Sequence, residues 1–471
     1  MYASTSSCKT VHDLMTMPDA LRSLSPRSSV TDIDWPPVLT RDAASLFALL
    51  TELDRTPSLN DDEFAAAQGR QLQALARHAS QQSGYFLERL KRSGLNADDL
   101  CHPDSLRALP VMTRQEVQAN GATLACAQVP ESHGPVHETG TSGSLGQPVI
   151  VKRTGITQLF WNAFTVREHR WQQRDLSARF AAIRADLPSE GARVDDWGAP
   201  LNLLYRTGPA FALASNRPID DQIAWLDSIE PRYLLTYPTN LSELLDRWET
   251  RGHGLDGLAQ IRTIGETVTD ALRERVHAVL GVPIADTYSS QEFGTIAIQA
   301  ASDELYHVMA ENYIVEVLDD AGEPCAEGQT GRVIVTDLHN YAMPLVRYET
   351  GDYAQPGAPG RGPRGLPTLR RIMGRKRNMI VIDGTRRWPS LNAHRYREVA
   401  PIEQYQIVQT TPETIEVRLV CAPLTRAQEH ELGDIILEAL EHPFRLTFAY
   451  YAQRIPLGRT GKFEEFMSLV A

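Results

Sequence analysis

The 471-residue chain has few cysteines, no CxxC pair and no excess of positive charge. Its five cysteines are scattered, so they supply neither a zinc-ligand motif nor a disulfide framework, and they suit a reducing compartment. The net charge of −12 argues against an acidic polymer or an acidic membrane as partner, because no long-range attraction would hold one. We therefore predict no nucleic-acid partner and no membrane partner.

Long hydrophobic runs are also missing. No stretch of the sequence approaches the roughly 20 apolar residues that span a bilayer. The Ser/Thr-rich start, Met1 to Arg27, has no continuous apolar run and is not typical of a secretory signal. These absences predict a cytoplasmic protein. The length of 471 residues exceeds the roughly 250–300 at which one core stops growing, so at least two domains are expected.

Three segments differ in composition and periodicity. Residues 1–60 are rich in Ser, Thr, Asp and Pro, which predicts a loose lead-in with one short helix near Ala43–Leu53. Strand-like and helical segments alternate through much of 61–373, which predicts a large α/β domain that becomes β-rich toward its end. A Pro/Gly/Arg-rich loop at 355–367 precedes 374–471, whose pattern predicts a small α+β domain.

Five motifs carry residue types that suit nucleotide chemistry. They are TSGSLGQP (141–148), DTYSSQEFG (286–294), RYETGD (347–352), GRKRN (374–378) and PLGRTGK (456–462). In the first, glycines and small hydroxyl residues allow backbone N–H groups to approach an anion. It is not a Walker A loop, because no Gly-Lys-Ser/Thr follows. Taken singly, each motif also fits an ordinary turn, loop or solvated tail.

The later motifs supply the side chains that a nucleotide would need. Tyr288 and Glu292 follow a predicted strand, where α/β folds bind ligands and where a carboxylate can hold a metal. Asp352, on a Gly turn, can accept both hydroxyls of a ribose. Lys462, on a Gly-rich loop, can act as a point charge on a transition state.

The order of the five motifs resembles that of the adenylate-forming superfamily of acyl-CoA synthetases, peptide-synthetase adenylation domains and luciferases. The nearest likeness is to the phenylacetate–CoA ligase branch, including the CapK-like proteins, through segments such as LPVMTRQEV and VTDLHNYAMPLVRYETGDYA. The likeness extends from about Leu72 to Lys462. It implies a large domain of α/β layers plus a distorted β-barrel, followed by a small mobile α+β domain.

The resemblance also assigns roles to individual residues. Glu292 would bind Mg²⁺ and, with the catalytic Lys462, carry the chemistry, while Arg377 falls at the hinge. The residues implied to bind ATP are Thr141, Ser142, Gly143, Ser144 and Gly146 at the β- and γ-phosphates, Gly265 and Glu266 beside the adenine, Tyr288 stacked on it, Asp352 at the ribose, and Arg375 at the ribose–phosphate side.

Several positions depart from the family pattern. Some relatives bind a structural zinc through cysteines near positions 300 and 357–362, where this chain has none, so we predict no zinc. The other departures are Leu145 for Thr, Ser289 for Gly, Gln291 where Ser or Thr is common, and Arg377-Asn378 for Asp-Asp.

The resemblance implies an AMP-forming acid–thiol ligase. It would use ATP and Mg²⁺ to convert a small carboxylic acid, aryl by family analogy, into an acyl-adenylate, release pyrophosphate, and transfer the acyl group to coenzyme A. Two alternatives stay open. The acceptor could be a carrier-protein thiol or an amine, or the chain could be a nucleotide-binding paralogue without turnover, which Leu145 and Gln291 favour. A homodimer is compatible with the sequence, which does not identify the acid.

Overall fold

The computed structural model describes residues 26–140, 149–301, 303–362, 364–389, 391, 395–456 and 463–470. Within these ranges, no helix combines the length and the apolar character needed to cross a membrane.

Four helices open the described chain: α1 (Arg41–Leu53), α2 (Asp61–Gln82), α3 (Gly84–Arg92) and α4 (Arg114–Leu124). The predicted short helix is confirmed as α1, which Thr40 caps. Apolar residues recur at helical spacing from Gln71 to Leu90, but this segment is divided between α2 and α3. Ser83 is extended there, and its side chain accepts a hydrogen bond from the backbone N–H of Phe86, so it begins a new helix.

A β-hairpin and five further helices follow the opening helices. The hairpin strands are β1 (His137–Gly140) and β2 (Ile150–Arg153), and the helices are α5 (Gly155–Trp171), α6 (Leu201–Leu204), α7 (Ile219–Ile229), α8 (Pro238–Arg251) and α9 (Asp270–Leu280). On α8, the apolar residues Leu241, Leu244, Leu245 and Trp248 recur at helical spacing, and the face that they form is buried. Thr269 caps α9, because its side chain accepts a hydrogen bond from the backbone N–H of Leu272.

Twelve strands form one mixed sheet. They are β3 (Phe180–Arg184), β4 (Ala192–Val194), β5 (Ala210–Ala214), β6 (Tyr233–Thr236), β7 (Gln260–Ile264), β8 (Ile284–Ser290), β9 (Gly294–Ala300), β10 (Asp303–Val308), β11 (Tyr313–Leu318), β12 (Gly331–Asp337), β13 (Tyr348–Pro356) and β14 (Thr368–Arg375). Their order across the sheet is β11-β12-β13-β14-β10-β9-β8-β7-β6-β3-β5-β4.

The sheet changes character at β8. Strands β3, β5, β6, β7 and β8 pair in parallel, and α7, α8 and α9 connect them, whereas β9 pairs antiparallel to β8 and the later strands continue antiparallel. The sequence predicts a short strand at Val282–Asp286, but β8 begins later and runs longer, because its pairing with β9 extends to Ser290. The α/β class is confirmed, and Glu292 lies in the turn from β8 to β9.

A buried ion cluster joins the end of α5 to the parallel half of the sheet. Glu168 pairs with Arg174 at 2.7 Å and with Arg262, on β7, at 3.2 Å. Burial alone would raise the pKa of Glu168, yet the two arginines lower it well below its ordinary value. The charge therefore stays paired inside the protein and fixes α5 against β7.

A second sheet forms after the first one ends. It has the order β19-β18-β17-β20, and β15 pairs separately with β16. Its core is its own, with Ile407, Leu419, Leu432 and Ile436 fully buried. The elements are β15 (Ile380–Ile382), β16 (Thr385–Arg387), α10 (Tyr396–Val399), β17 (Gln404–Thr411), β18 (Thr414–Val420), α11 (Arg426–Leu440), β19 (Arg445–Tyr451) and β20 (Phe466–Ser468). The domain boundary at 374 stays a prediction.

Two helix-interior glycines allow a matched test of this packing. A Cβ at Gly69, on α2, would overlap the carbonyl oxygen of Cys101, whereas a Cβ at Gly121, on α4, would meet nothing within 4 Å. We expect Gly69→Ala to destabilise the protein by about 1–3 kcal/mol through overpacking. Gly121→Ala should stabilise it by about 0.5–1 kcal/mol, because alanine favours the helix. Thermal unfolding of both variants measures this, and shifts of the same sign would contradict it.

Candidate active site

Three predicted nucleotide residues meet in one hydrogen-bonded group. The Tyr288 hydroxyl, from β8, donates to Oδ2 of Asp352 at 2.9 Å, and Nε of Arg375 donates to Oδ1 at 3.3 Å. Asp352 on β13 and Arg375 on β14 are direct partners in the antiparallel register. The group therefore forms where β14 ends and β8 approaches its turn, although its members are far apart in the sequence.

The Tyr288 ring packs within the main hydrophobic core, and only 6% of the residue is exposed. Burial raises the pKa of its hydroxyl well above the ordinary value, and the charge of Asp352 raises it further, so the hydroxyl stays a donor. Its stacking on adenine stays a prediction.

Glu292 is a buried carboxylate in a cationic setting. It is 8% exposed, and Nη1 of Arg114, the first residue of α4, lies 3.3 Å from its Oε1. Burial lowers the pKa of Arg375, but the charges of Asp352 and Glu292 outweigh it and the net shift is upward. A carboxylate among arginines, at a strand end, suits a site for a polyphosphate and its metal ion.

Glu266 connects the parallel half of the sheet to the C-terminal part of the chain. It follows Gly265, whose φ of +78° is strained for other residue types. Its Oε2 accepts the backbone N–H of Thr239 at 3.0 Å and the hydroxyl at 2.8 Å, near the start of α8. Its Oε1 accepts the backbone N–H of Phe463 at 3.4 Å. This residue therefore lies beside the end of the PLGRTGK motif.

Arg377 is tied into the structure and is not a solvated charge. It lies in a 3₁₀ turn, Lys376–Asn378, directly after β14. Its Nε donates to Oε1 of Glu464 at 2.8 Å, and its side chain is 13% exposed. Asn378 donates its side-chain amide to the carbonyl of Phe466 at 3.0 Å. The predicted hinge residue thus contacts the segment that follows Lys462.

A second group of contacts joins the C-terminal sheet to α8. Nη1 of Arg454 donates to the carbonyl of Ser215 at 2.9 Å, and Nη2 pairs with the carboxylate of Glu243. The side-chain amide of Gln404 donates to Oε1 of the same glutamate at 3.2 Å. These contacts are polar and partly exposed, unlike the apolar cores on either side.

The chain resembles proteins of known activity. No protein-family model matches it. A phenylacetate-coenzyme A ligase of Escherichia coli is 23% identical over 347 residues, 72% of this chain and 77% of that protein. One of Thermus thermophilus is 24% identical over 419 residues, 84% of this chain and 89% of its own. The structure of 2-hydroxyisobutyryl-CoA ligase in the postadenylation state, in complex with 2-HIB-AMP, superposes with a TM-score of 0.67 at 18% identity. The superposition covers 88% of this chain and 91% of that one. The chain therefore has the fold of the adenylate-forming acyl-CoA ligases.

In sequence it is similar to the phenylacetate-coenzyme A ligases, which is the likeness that the motifs predicted. The same 2-hydroxyisobutyryl-CoA ligase gives a TM-score of 0.54 in an open conformation and 0.56 in the thioesterification state, at similar identity. All three comparisons show the same fold.

Two parts of the site that the adenylate-forming resemblance predicts lie outside the described residues. They are the phosphate-loop residues Thr141, Ser142, Gly143, Ser144 and Gly146, and the lysine Lys462. The described neighbours of the loop, Gly140 on β1 and Ile150 on β2, are partners across the hairpin. Phe463 and Glu464, after Lys462, contact Glu266 and Arg377.

Sequence reasoning missed Arg114. It lies in LPVMTRQEV, a segment that supported the family likeness without assigning it a role, and it pairs with Glu292 across 178 residues of chain. A basic residue in a motif shared with a nucleotide-binding family was the available signal. Among the described residues, no group of three or more His, Cys, Asp or Glu side chains is placed to hold a metal ion.

The Tyr288–Asp352 hydrogen bond can be tested by a Tyr→Phe pair. Tyr288→Phe removes a donor to a carboxylate, so we expect a loss of about 1.5–3 kcal/mol in stability. Tyr396→Phe is the control, because the buried hydroxyl of Tyr396 has no hydrogen-bond partner among the described residues, and its loss should be neutral or slightly stabilising. Thermal unfolding measures both. Equal losses would show that the bond to Asp352 contributes nothing specific.

Proposed function

We propose that this chain is an AMP-forming acid–thiol ligase, which activates a carboxylic acid with ATP and transfers the acyl group to coenzyme A. The observation that carries the proposal is the convergence of Tyr288, Asp352 and Arg375 in one hydrogen-bonded group, within the fold of the adenylate-forming ligases. The curated relatives are phenylacetate-coenzyme A ligases, and a structural relative binds an acyl-AMP. These support an acyl-adenylate intermediate and favour an aryl acid as substrate.

Asp352 is the proposed ribose ligand. Tyr288 and Arg375 bond different oxygens of its carboxylate, and each oxygen retains acceptor capacity for a ribose hydroxyl. Because Arg375 faces Asp352 in the β13–β14 register and Tyr288 bonds it from β8, the carboxylate is oriented before the nucleotide binds. Arg375 remains about two-fifths exposed at its side chain, so its guanidinium can also face the phosphate side.

Glu292 is the proposed Mg²⁺ ligand. The residue fits this group, because Mg²⁺ in nucleotide sites commonly takes one or two carboxylates and completes its shell with phosphates and water. When bound, the ion would supply positive charge at the phosphates. Arg114 holds the carboxylate at 3.3 Å and fixes its direction. Gly265 and Glu266 are the proposed neighbours of the adenine, and residues 141–146 are the proposed phosphate loop.

In the first half-reaction, a carboxylate oxygen of the acid attacks the α-phosphorus of ATP. The bond from that phosphorus to the bridging oxygen breaks, and pyrophosphate leaves with the oxygen. Little proton transfer is needed, because the acid is already ionised at neutral pH. Lys462 is the proposed catalytic cation, neutralising charge that develops on the phosphate.

In the second half-reaction, the thiol of coenzyme A attacks the acyl carbon, the thiol proton is lost, and AMP leaves. We infer that the part of the small domain that follows Arg377 rotates about this residue between the two steps, while the Asp352–Arg375 pair stays with the large sheet. Both members of the Arg377–Glu464 pair would travel with that segment. The bonds from Arg454 to Glu243 and from Phe463 to Glu266 cross the boundary and would have to break.

Pyrophosphate release over a panel of acids, with aryl acids first, tests the function. We expect release with a subset of the acids, and thioester formation only when coenzyme A is added. Lys462→Ala should lower the rate of release by about 10²–10³-fold while ATP still binds, since its charge acts on the transition state. Thioester formation from a pre-made acyl-adenylate should continue in this variant.

The same panel separates the other activities. Release without thioester formation, but with transfer to a carrier-protein thiol or an amine, would replace coenzyme A as the acceptor. No release with any acid, together with retained ATP binding, would leave a nucleotide-binding paralogue without turnover.

Asp352→Ala tests the ribose contact. Because the contact would be present in the bound ground state as well as the transition state, we expect an increase of about 10-fold or more in KM for ATP with a smaller change in kcat. Steady-state pyrophosphate release at varied ATP measures this. An unchanged KM would contradict the assignment, and the contrast with Lys462→Ala, which should affect kcat, controls for general damage.

A further inference from the structure

Arg153 is a buried cation that the proposed mechanism does not use. It ends β2, the strand that follows the proposed phosphate loop, and only 7% of the residue is exposed. Two of its guanidinium nitrogens, Nε and Nη2, are buried and find no hydrogen-bond partner among the described residues. An unpartnered buried donor is costly, and more so when it is charged. Its presence calls for an anionic partner.

The Arg153 guanidinium is held against the Glu292 turn by an aromatic ring. Its Cζ lies 4.9 Å from the centroid of the Trp161 ring, on α5, which is the geometry of a cation–π contact. The same ring packs on Gly294, where an added Cβ would lie 3.1 Å from it. Gly294 begins β9, two residues after Glu292. Trp161 therefore connects Arg153 to the turn that carries the proposed metal ligand.

The charged groups that act on Arg153 include Glu292, which agrees with a position beside the turn from β8 to β9. Burial lowers the pKa of Arg153, and the charges of Tyr313, Asp337 and Glu292 oppose that shift. Asp337 is itself buried, and burial raises its pKa to about 6, so it is still mostly ionised at neutral pH. The described residues thus give Arg153 nearby negative charge but no hydrogen-bond partner for its Nε and Nη2.

We propose that Arg153 binds an anionic oxygen of the β- or γ-phosphate of ATP, next to Glu292, with Trp161 orienting its guanidinium. The inference rests on the proposed function. It follows from three observations: the unpartnered Nε and Nη2, the stack on Trp161, and the place of Arg153 on the strand that leaves the phosphate loop. The planar fork of an arginine matches a phosphate, which can accept two N–H groups at once.

The acid's own carboxylate is the other anion of the reaction. It would attack the α-phosphorus, next to the ribose that Asp352 is proposed to bind, whereas the charge of Glu292, the proposed ligand of the metal on the polyphosphate, acts on Arg153. The β- and γ-phosphates are also the groups that leave together as pyrophosphate, so a cation there would bind ATP and pyrophosphate but not AMP. The affinities for ATP and pyrophosphate, compared with that for AMP, therefore report on phosphate binding, because an arginine with only a structural role would not change them selectively.

Calorimetric titration of wild type and Arg153→Gln with ATP, pyrophosphate and AMP, at fixed Mg²⁺, tests the proposal. We expect affinities for ATP and pyrophosphate to fall about 10- to 100-fold, the range for a lost charge-assisted hydrogen bond. The affinity for AMP should stay within twofold of wild type. Arg364→Gln is the matched control. Arg364 also stacks on a tryptophan, at 4.4 Å from the Trp171 centroid, but away from Glu292, so all three affinities should be unchanged.

The outcomes are distinct. Equal loss of ATP and AMP affinity, or unchanged ATP affinity, would overturn the role of Arg153, as would a raised KM for the acid with ATP binding intact. If Arg153→Gln does not fold, Arg153→Lys decides, since it keeps the charge but loses the fork and should weaken ATP and not AMP. If wild type releases no pyrophosphate with any acid, the proposed function fails, while the ATP-versus-AMP comparison still decides the role of Arg153.

Discussion

The buried carboxylate of Asp286 joins four neighbouring strands at the point where the large sheet changes from parallel to antiparallel. Thr263 on β7 and Tyr306 on β10 donate to its two oxygens at 2.7 and 2.6 Å, and its backbone N–H donates to Gln299 on β9 at 3.0 Å. Burial raises the pKa of Asp286, and these hydrogen bonds oppose that shift. A fully partnered buried group of this kind fixes one register, because a slip would leave its members unpaired. Tyr288 and Glu292 follow directly on the same strand and turn.

Asp352, on the other side of the site, is positioned by contacts at the start of its strand, β13. Arg347, just before β13, forms a two-pronged pair with Glu316 on β11, at 2.9 Å for each bond. Its φ of +52° is unusual for a residue with a side chain, and such strain persists only where surrounding contacts over-determine it. The backbone N–H of Arg347 donates to Thr336 at 2.9 Å. The start of β13 is thereby set, and Asp352 five residues later is brought opposite Arg375.

The contacts between the C-terminal segment, 374–471, and the rest of the chain differ from the contacts inside each of these two parts. Inside each part, apolar side chains such as Leu244 and Ile436 are fully buried. Between them, the contacts of Arg454, Gln404 and Phe463 are hydrogen bonds and an ion pair that water can replace, beside one edge contact between the rings of Tyr353 and Trp388. Replacing such contacts costs little compared with exposing a core, since partly exposed ion pairs contribute about 0–1 kcal/mol each. This asymmetry is what a rotating C-terminal segment requires.

Local pattern in the sequence determined the helix faces, the strands flanking the phosphate motif and the C-terminal elements, because each of these depends on periodicity and capping within a few residues. Leu241, Leu244 and Trp248 on α8 are an example. The order of the motifs also carried the resemblance to the adenylate-forming ligases, although each motif taken singly fits an ordinary turn or loop. Tertiary structure alone decided that Arg114 pairs with Glu292, that Nε and Nη2 of Arg153 are buried with no hydrogen-bond partner among the described residues, and that Ser83 divides one helical segment into two. These outcomes depend on strand order and on contacts between residues far apart in the chain, and neither leaves a periodic trace in the sequence.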